Sequence, residues 1–442
     1  MALAFTGRHS LGFKALIIGA IILLLLVPLT MLRELVSERT MRRDEAYTTV
    51  AQGWGGDQVL AGPVLIIPTE RVIEADGRTR IDRSDIYVLP ATLDADVTLT
   101  MESEPRSVGI YAVPVYLSHV HLGGSFDFEA ARPLLGRSEV TYLWDEARIR
   151  LPLSDVRSLR EMQVAQLDGA ALKFRPATLS VSSVDAPIMA GVVRNAVPVR
   201  FTLDLVLAGS RSFSIQPFGS TTTVTLKSNW PHPSFRGAFL PVERSIADSG
   251  FEAHWQILEL NRPYGQAWEG NWLSPEALDA STFGVGLYQA VDVYQRGERA
   301  IKYALLFIAL TFLTFFAWER VSGLRIHPLQ YLLIGLALSV FYLLLVALSE
   351  HVKFGVAYLI AAAALVLLIA IYLGGALHSR HRGIVAGGVM SAVYGLLYIL
   401  VLSEDYALLL GAIILFAALA GVMLATRRVD WYGSDEPPAQ AP

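Results

Sequence analysis

The sequence predicts an α-helical membrane protein with six transmembrane helices, one before and five after a large domain built mainly of antiparallel β strands. Three observations lead there. The apolar residues are split into one run near the start, Ala15–Leu32, and five crowded at the end: Ile301–Trp318, Leu329–Leu348, Phe354–Gly374, Ile384–Leu402 and Tyr406–Ala425. Each holds 18 to 21 residues, and the single charge among them is Lys302, at an edge. At about 1.5 Å per residue such a run crosses the roughly 30 Å hydrocarbon core of a bilayer. Between the first and second runs lies a polar stretch of about 270 residues whose apolar positions alternate as in strands.

The first run is read as a retained anchor. Its core, Ala15–Val27, is short enough for a signal sequence, but the following Pro28-Leu-Thr-Met-Leu-Arg-Glu34 offers no small-x-small cleavage site. The residues after it, Arg33 to Tyr47, look helical, with Glu38 and Arg42 at ion-pair spacing. They are expected to form a stalk prolonging the first helix, and lipid headgroups are the second use of their arginines.

From Gln58 the pattern turns to strands. Val59–Pro68 is an apolar run interrupted by Gly62-Pro63, as at an edge or a bend. Ile110–Leu122 reads as one long strand or a bent pair, Pro198–Leu207 alternates cleanly, and Ser212–Phe218 follows a turn at Ala208-Gly-Ser210. Thr221–Ser228 and Gly250–Leu260 complete a sandwich or an elongated stack of sheets. Only Asp155–Gln166 looks helical, capped by Ser154 or Asp155. No repeat with a period of roughly 20–50 residues is present. The expected organisation is therefore residues 1–14 cytoplasmic, 15–32 the first span, 33–57 the stalk, 58–300 the β-rich domain, 301–426 a five-helix bundle and 427–442 a polar, disordered cytoplasmic tail.

Charge sets the orientation. With the amino terminus inside, the short inner segments hold Arg8, Lys14, Arg320, Arg325, Arg380, Arg382, Arg427 and Arg428, whereas the short outer loops hold only Lys353. That is a positive-inside bias, and it places both termini in the cytoplasm and the β domain in the periplasm. Arg33, Arg39, Arg42 and Arg43 oppose it, but long translocated domains escape the charge rule. Net charge is −4, and no Lys/Arg cluster interleaves with aromatics, so nucleic acid is not an expected partner. The chain has no cysteine, which excludes disulfides, thiolate metal sites and a Cys nucleophile.

Little in the sequence carries chemistry. It has no nucleophile elbow, phosphate loop, dinucleotide fingerprint or zinc-protease helix. His119 and His121 share a strand face, but a third metal ligand cannot be named, and two ordinary imidazoles are expected. Glu252 with Glu259, or Asp82 with Asp85, could be offered as a hydrolase pair. Sequence spacing cannot show the carboxyl separation that such chemistry needs. Asn229-Trp-Pro-His-Pro-Ser-Phe235 is more distinctive, because two prolines fix the backbone and give Trp230, His232 and Phe235 defined directions. The loop either folds onto its own domain or forms a partner-facing aromatic ledge; catalysis through His232 lacks a nucleophile and a paired acid. No catalytic, cofactor-binding or metal-binding residue is assigned, and no cofactor is expected.

In the membrane part the charges Glu319, Glu350, Lys353, Glu404 and Asp405 stand at the ends of the apolar runs, unlike the buried ionisable groups of carriers. Gly383, Gly387, Ser391 and Gly395 recur at four-residue steps and form a close-packing stripe, for a neighbouring helix or for a second copy of the chain. Ser403-Glu404-Asp405 opens the last helix with a cap and two acids that favour its dipole.

Several long stretches resemble the CreD family of bacterial inner-membrane proteins. They are Asn229–Phe235, Gly250–Trp255 with Glu259-Leu-Asn-Arg262, Leu396–Gly411, and Thr426-Arg-Arg-Val-Asp-Trp-Tyr432. Length and arrangement agree along nearly the whole chain. The resemblance implies a role in cell-envelope integrity and envelope stress, with expression tied to a two-component system, and it carries over no catalytic residue. The expectation is a non-enzymatic protein that meets membrane lipids and binds an envelope protein, lipid or glycan through its β domain. The alternative is a membrane-anchored enzyme acting on a lipid or glycan envelope component.

Overall fold

A computed structural model of the protein describes residues 11–75, 78–177, 182–194, 197–287, 293–322, 326–403 and 406–427. The chain forms two compact units, Met1–Arg42 with Val291–Pro442, and Arg43–Ala290.

The first unit is helical. Helix α1 runs unbroken from Leu11 to Gly53, so the predicted stalk continues the apolar helix, and Pro28 lies inside it. The others are α2 (Val293–Ser322), α3 (Pro328–Ser349), α4 (Phe354–Ala376), α5 (Arg380–Leu402) and α6 (Ala407–Thr426). Among the described residues α1 to α5 are long and apolar enough to cross a membrane. Ile18, Ile21, Leu25, Leu29, Leu32 and Val36 of α1 are buried at three- and four-residue steps, one helical face. Polar contacts close that face at both ends. Lys14 pairs with Glu319, which also accepts from the Tyr331 hydroxyl at 3.1 Å. At the other end Glu350 meets Arg39 at 3.5 Å and Tyr294 at 3.1 Å. The charges Glu319 and Glu350 thus stand at helix ends with partners. Glu404, Asp405 and the tail after residue 427 lie outside the described residues.

The second unit is built of sheets. In the largest, eight strands lie in the order Ala170–Ala171, Leu159–Leu167, Val199–Gly209, Tyr116–Phe126, Thr92–Met101, Thr221–Ser228, Gly250–Leu258 and Glu243–Ala247. All its pairs are antiparallel except Thr221–Ser228 beside Thr92–Met101. A second sheet orders Arg175–Pro176, Ser183–Pro187, Arg148–Pro152, Val64–Ala75, Arg78–Val88 and Ala267–Glu269, with Val140–Tyr142 also paired to Val64–Ala75. A four-stranded sheet orders Gln58–Ala61, Ser212–Gln216, Phe283–Leu287 and Pro233–Gly237. One hydrophobic core draws on all three.

Sequence punctuation explains how the chain moves between sheets. At Gly62-Pro63 it leaves the four-stranded sheet for the seven-stranded one. A proline there removes a ladder donor, and a Cβ on Gly62 would come within 2.7 Å of Leu93. Pro114 likewise splits the Ile110–Leu122 stretch into Tyr111–Val113 and Tyr116–Phe126. At Gly209-Ser-Arg211 the chain turns between sheets, with Arg211 at φ 29°. Gly209 lies under the Tyr116 ring, whose hydroxyl donates to the Ser212 carbonyl at 2.6 Å. A Cβ on Gly209 would stand 2.3 Å from that ring. The ring is rigid and fully buried, so Gly209→Ala is expected to destabilise the β unit by about 1–3 kcal/mol, read by denaturant unfolding of the full chain.

One expected element is corrected. Residues 155–166 are not a helix: a short 3-10 turn, Val156–Ser158, leads into the strand Leu159–Leu167. Asp155 does act as a cap, accepting from the Arg157 amide at 2.9 Å. The misreading has a cause. The pairing with Val199–Gly209 slips between Leu159 and Glu161 and again between Met162 and Val164. Each slip resets the alternation, so half-buried Leu159, Met162 and Ala165 stand three apart, mimicking helical spacing.

Candidate functional site

The Asn229–Phe235 loop bridges two sheets. It leaves the strand Thr221–Ser228 and enters the edge strand Pro233–Gly237, where Phe235 stands opposite Val285. Local bonds fix its entry: Ser228 Oγ accepts from the Trp230 amide at 3.1 Å, and Asn229 Oδ1 accepts from the Met101 amide at 2.9 Å. The indole N–H of Trp230 donates to the His232 carbonyl at 3.1 Å, so the loop closes on itself. The Trp230 and His232 rings meet edge to face at 6.4 Å.

The three aromatic residues divide. Phe235 packs edge to face on Phe251 at 5.7 Å and on Trp255 at 5.8 Å, with the Arg244 guanidinium 5.9 Å over its ring. Trp230 is half-buried against the same core. His232 is exposed. The loop therefore anchors two rings inward and presents one imidazole outward, held between Pro231 and Pro233.

The other sequence candidates fall elsewhere. His119 and His121 are exposed on one face of Tyr116–Phe126, and His121 Nδ1 contacts Asp204 Oδ1. Among the described residues no three His, Asp or Glu side chains share a metal-sized site. Glu252 is held by Lys227 at 3.0 Å and lies 3.3 Å from His254; the Lys227 hydrogen bond, chiefly, holds its carboxyl below the ordinary range. Glu259 accepts from Ser220 at 2.9 Å. Asp82 is exposed on Arg78–Val88, while Asp85 on the same strand accepts from Arg148 at 2.9 Å.

On α5 the small residues also divide. A Cβ on Gly383 would stand 2.5 Å from the Ala370 carbonyl oxygen and 2.9 Å from Gly374 Cα, so α5 approaches α4 backbone to backbone there. A Cβ on Gly387 would stand 3.2 Å from Ala370 Cβ. Ser391 donates to the Gly387 carbonyl at 2.9 Å and is exposed, and a Cβ on Gly395 would meet nothing outside its own helix backbone within 4 Å. At 3.6 residues per turn, each four-residue step rotates the stripe about 40° around the helix. Gly383→Val is therefore expected to lower stability of the detergent-solubilised chain by about 1–3 kcal/mol, and Gly395→Val to change it by under about 0.5 kcal/mol, read by thermal melting.

Two polar features escaped sequence reasoning. Arg150 is 2% exposed and bonds Asp185 through both carboxylate oxygens, at 2.8 and 2.7 Å. Arg148 joins Asp85 at 2.9 Å and Asp185 at 3.6 Å. The second is Arg262, buried, whose guanidinium meets the carbonyls of Phe218, Tyr264 and Gly265 and the side chain of Gln266. Burial lowers its pKa from the ordinary arginine value. Sequence could have signalled only the first: Arg148-x-Arg150 in an alternating run puts both cations on one strand face.

A family model described as Inner membrane protein CreD matches residues 10–432. The chain is similar to the Inner membrane protein CreD of Escherichia coli (strain K12), 36% identical over 442 residues, covering 98% of this chain and 96% of that protein.

Proposed function

The chain belongs to the CreD family and is a multi-pass inner-membrane protein tied to the envelope, and from that premise we propose that it supports envelope integrity by non-catalytic binding through its β unit. In this reading α6, a 20-residue apolar helix, is the sixth span, both termini face the cytoplasm, and the β unit lies in the periplasm. The distribution of basic residues along the short loops supports that orientation.

One observation carries the binding role. The Asn229–Phe235 loop spends two aromatic rings on anchoring a single exposed imidazole, on a backbone fixed by prolines and by the Trp230–His232 bond. A pre-ordered surface of this kind loses little conformational entropy when a partner docks. The partner is an envelope protein, lipid or glycan.

Because the chain has no cysteine, a His232→Cys variant carries a single thiol. Membrane-impermeant maleimide applied to intact spheroplasts is expected to label it without lysis; labelling that requires lysis would reverse the orientation. His232→Ala is expected to leave protein level and melting unchanged while raising cellular sensitivity to envelope-perturbing detergent. Unchanged sensitivity would remove the loop from the function.

A further inference from the structure

The two large sheets do not close on each other everywhere. Where the strand Leu159–Leu167 of one approaches Arg175–Pro176 and Ser183–Pro187 of the other, an open cleft of about 630 Å³ remains. That lies within the roughly 300–1,000 Å³ of clefts that take small ligands. Its walls include Leu159, Met162, Leu172, Phe174 and Val184. Val184 is buried, whereas the other four are only partly covered and pack on the main core from its rim. Met and Phe at such a rim give a surface that adapts to a flexible apolar chain.

A cation accompanies the apolar walls. Arg175 lines the cleft and is exposed. Its register partner across the β pair is Asp185, but both oxygens of that carboxylate are engaged by Arg150, and Arg148 adds a third contact. Lys173, two residues away, is also exposed. The cleft thus offers an apolar wall of Leu159, Met162, Leu172 and Phe174, interrupted by Gln163 and Gln166, and a guanidinium whose nearest strand-paired carboxylate is already committed. A planar fork of this kind matches a carboxylate with two parallel hydrogen bonds.

We propose that this cleft binds a long-chain fatty acid, the acyl chain along Leu159, Met162, Leu172 and Phe174 and the carboxylate at Arg175. The ligand class is at hand, because the same chain carries membrane-spanning helices and works among acyl lipids. The site is separate from the His232 loop, so it stands or falls independently of the binding role assigned there.

The test uses the full chain in lipid nanodiscs and palmitate bearing a terminal diazirine, with photo-adducts located by peptide mass spectrometry. Adducts are expected on the peptides covering Leu159–Val184, in addition to those that the membrane helices collect from the bilayer. Arg175→Gln, an exposed change that removes the guanidinium without setting a second carboxylate opposite Asp185, should cut the cleft adducts about ten-fold, because it removes a charge-assisted pair, and leave the helix adducts and the melting unchanged. Met162→Trp, which fills the cleft, should abolish them in a variant whose melting is unaltered. Adducts confined to α1–α6, cleft labelling indifferent to Arg175→Gln, or equal labelling by a hexadecyl trimethylammonium probe would each overturn the assignment.

Discussion

Replacing Asp185 with Ala is expected to cost about 3–5 kcal/mol of β-unit stability, because it strands a buried guanidinium without its carboxylate. Arg150 is 2% exposed, and both of its short contacts, at 2.8 and 2.7 Å, go to Asp185. Burial, the largest single influence, disfavours the Arg150 charge, yet the hydrogen bonds and charge of Asp185, together with Tyr87 and Asp85, outweigh it and raise the pKa above the usual arginine value. Arg148 would lose one of its two carboxylate partners in the same variant. Denaturant unfolding of the full chain in detergent, followed by tryptophan fluorescence, reads the loss, since Trp268 and Trp272 pack on Tyr87 beside this network. A double variant, Asp185→Leu with Arg150→Met, is expected to lose less than the single one. It removes charge and counter-charge together and leaves no orphan. Equal losses would mean that packing volume, rather than desolvated charge, sets the cost.

Trp255→Ala is expected to be as severe, about 3–5 kcal/mol, and to act on the candidate surface as well as on stability. Trp255 is 1% exposed and lies between Phe235 at 5.8 Å and Phe283 at 5.6 Å. Its indole N–H donates to the Phe239 carbonyl at 3.2 Å. Removing it opens a cavity under Phe235 and frees the Phe239 carbonyl, two residues beyond the edge strand that the His232 loop feeds. Binding and fold should therefore fail together in Trp255→Ala, whereas His232→Ala should affect binding alone. That contrast separates the presented residue from those that hold it.

Much of this layout was legible in the sequence. Long uncharged runs specify membrane helices because a single continuous segment satisfies its own backbone groups in hydrocarbon only as a helix. Alternation and Gly-Pro punctuation located several strands, including the bend at Gly62-Pro63, but passed over Arg78–Val88, Thr92–Met101, Arg148–Pro152 and Phe283–Leu287. Alternation assigns faces rather than partners, however. Nothing in Ser212–Gln216 showed that it leaves its neighbour Val199–Gly209 to lie beside Gln58–Ala61 and Phe283–Leu287. At Leu159–Leu167 two register slips turned a strand into an apparent helix. The Arg150–Asp185 network was hidden for a related reason, since its partners meet only through the pairing of Arg148–Pro152 with Ser183–Pro187.

The candidate loop was visible as a motif, but its internal division was not. Two prolines predict a fixed backbone and not which ring faces the core. Phe235 turns inward because Pro233–Gly237 pairs with Phe283–Leu287 over Phe251 and Trp255. His232, one residue before that strand, is left outside.

The binding role is tested most directly by a photo-crosslinking amino acid at position 232 in intact cells, with the exposed position 80 as the control and mass spectrometry of the products. A discrete protein, lipid or glycan adduct at 232 and absent at 80 is the predicted result. Equal, diffuse labelling at both positions, with protein level unchanged, would contradict it.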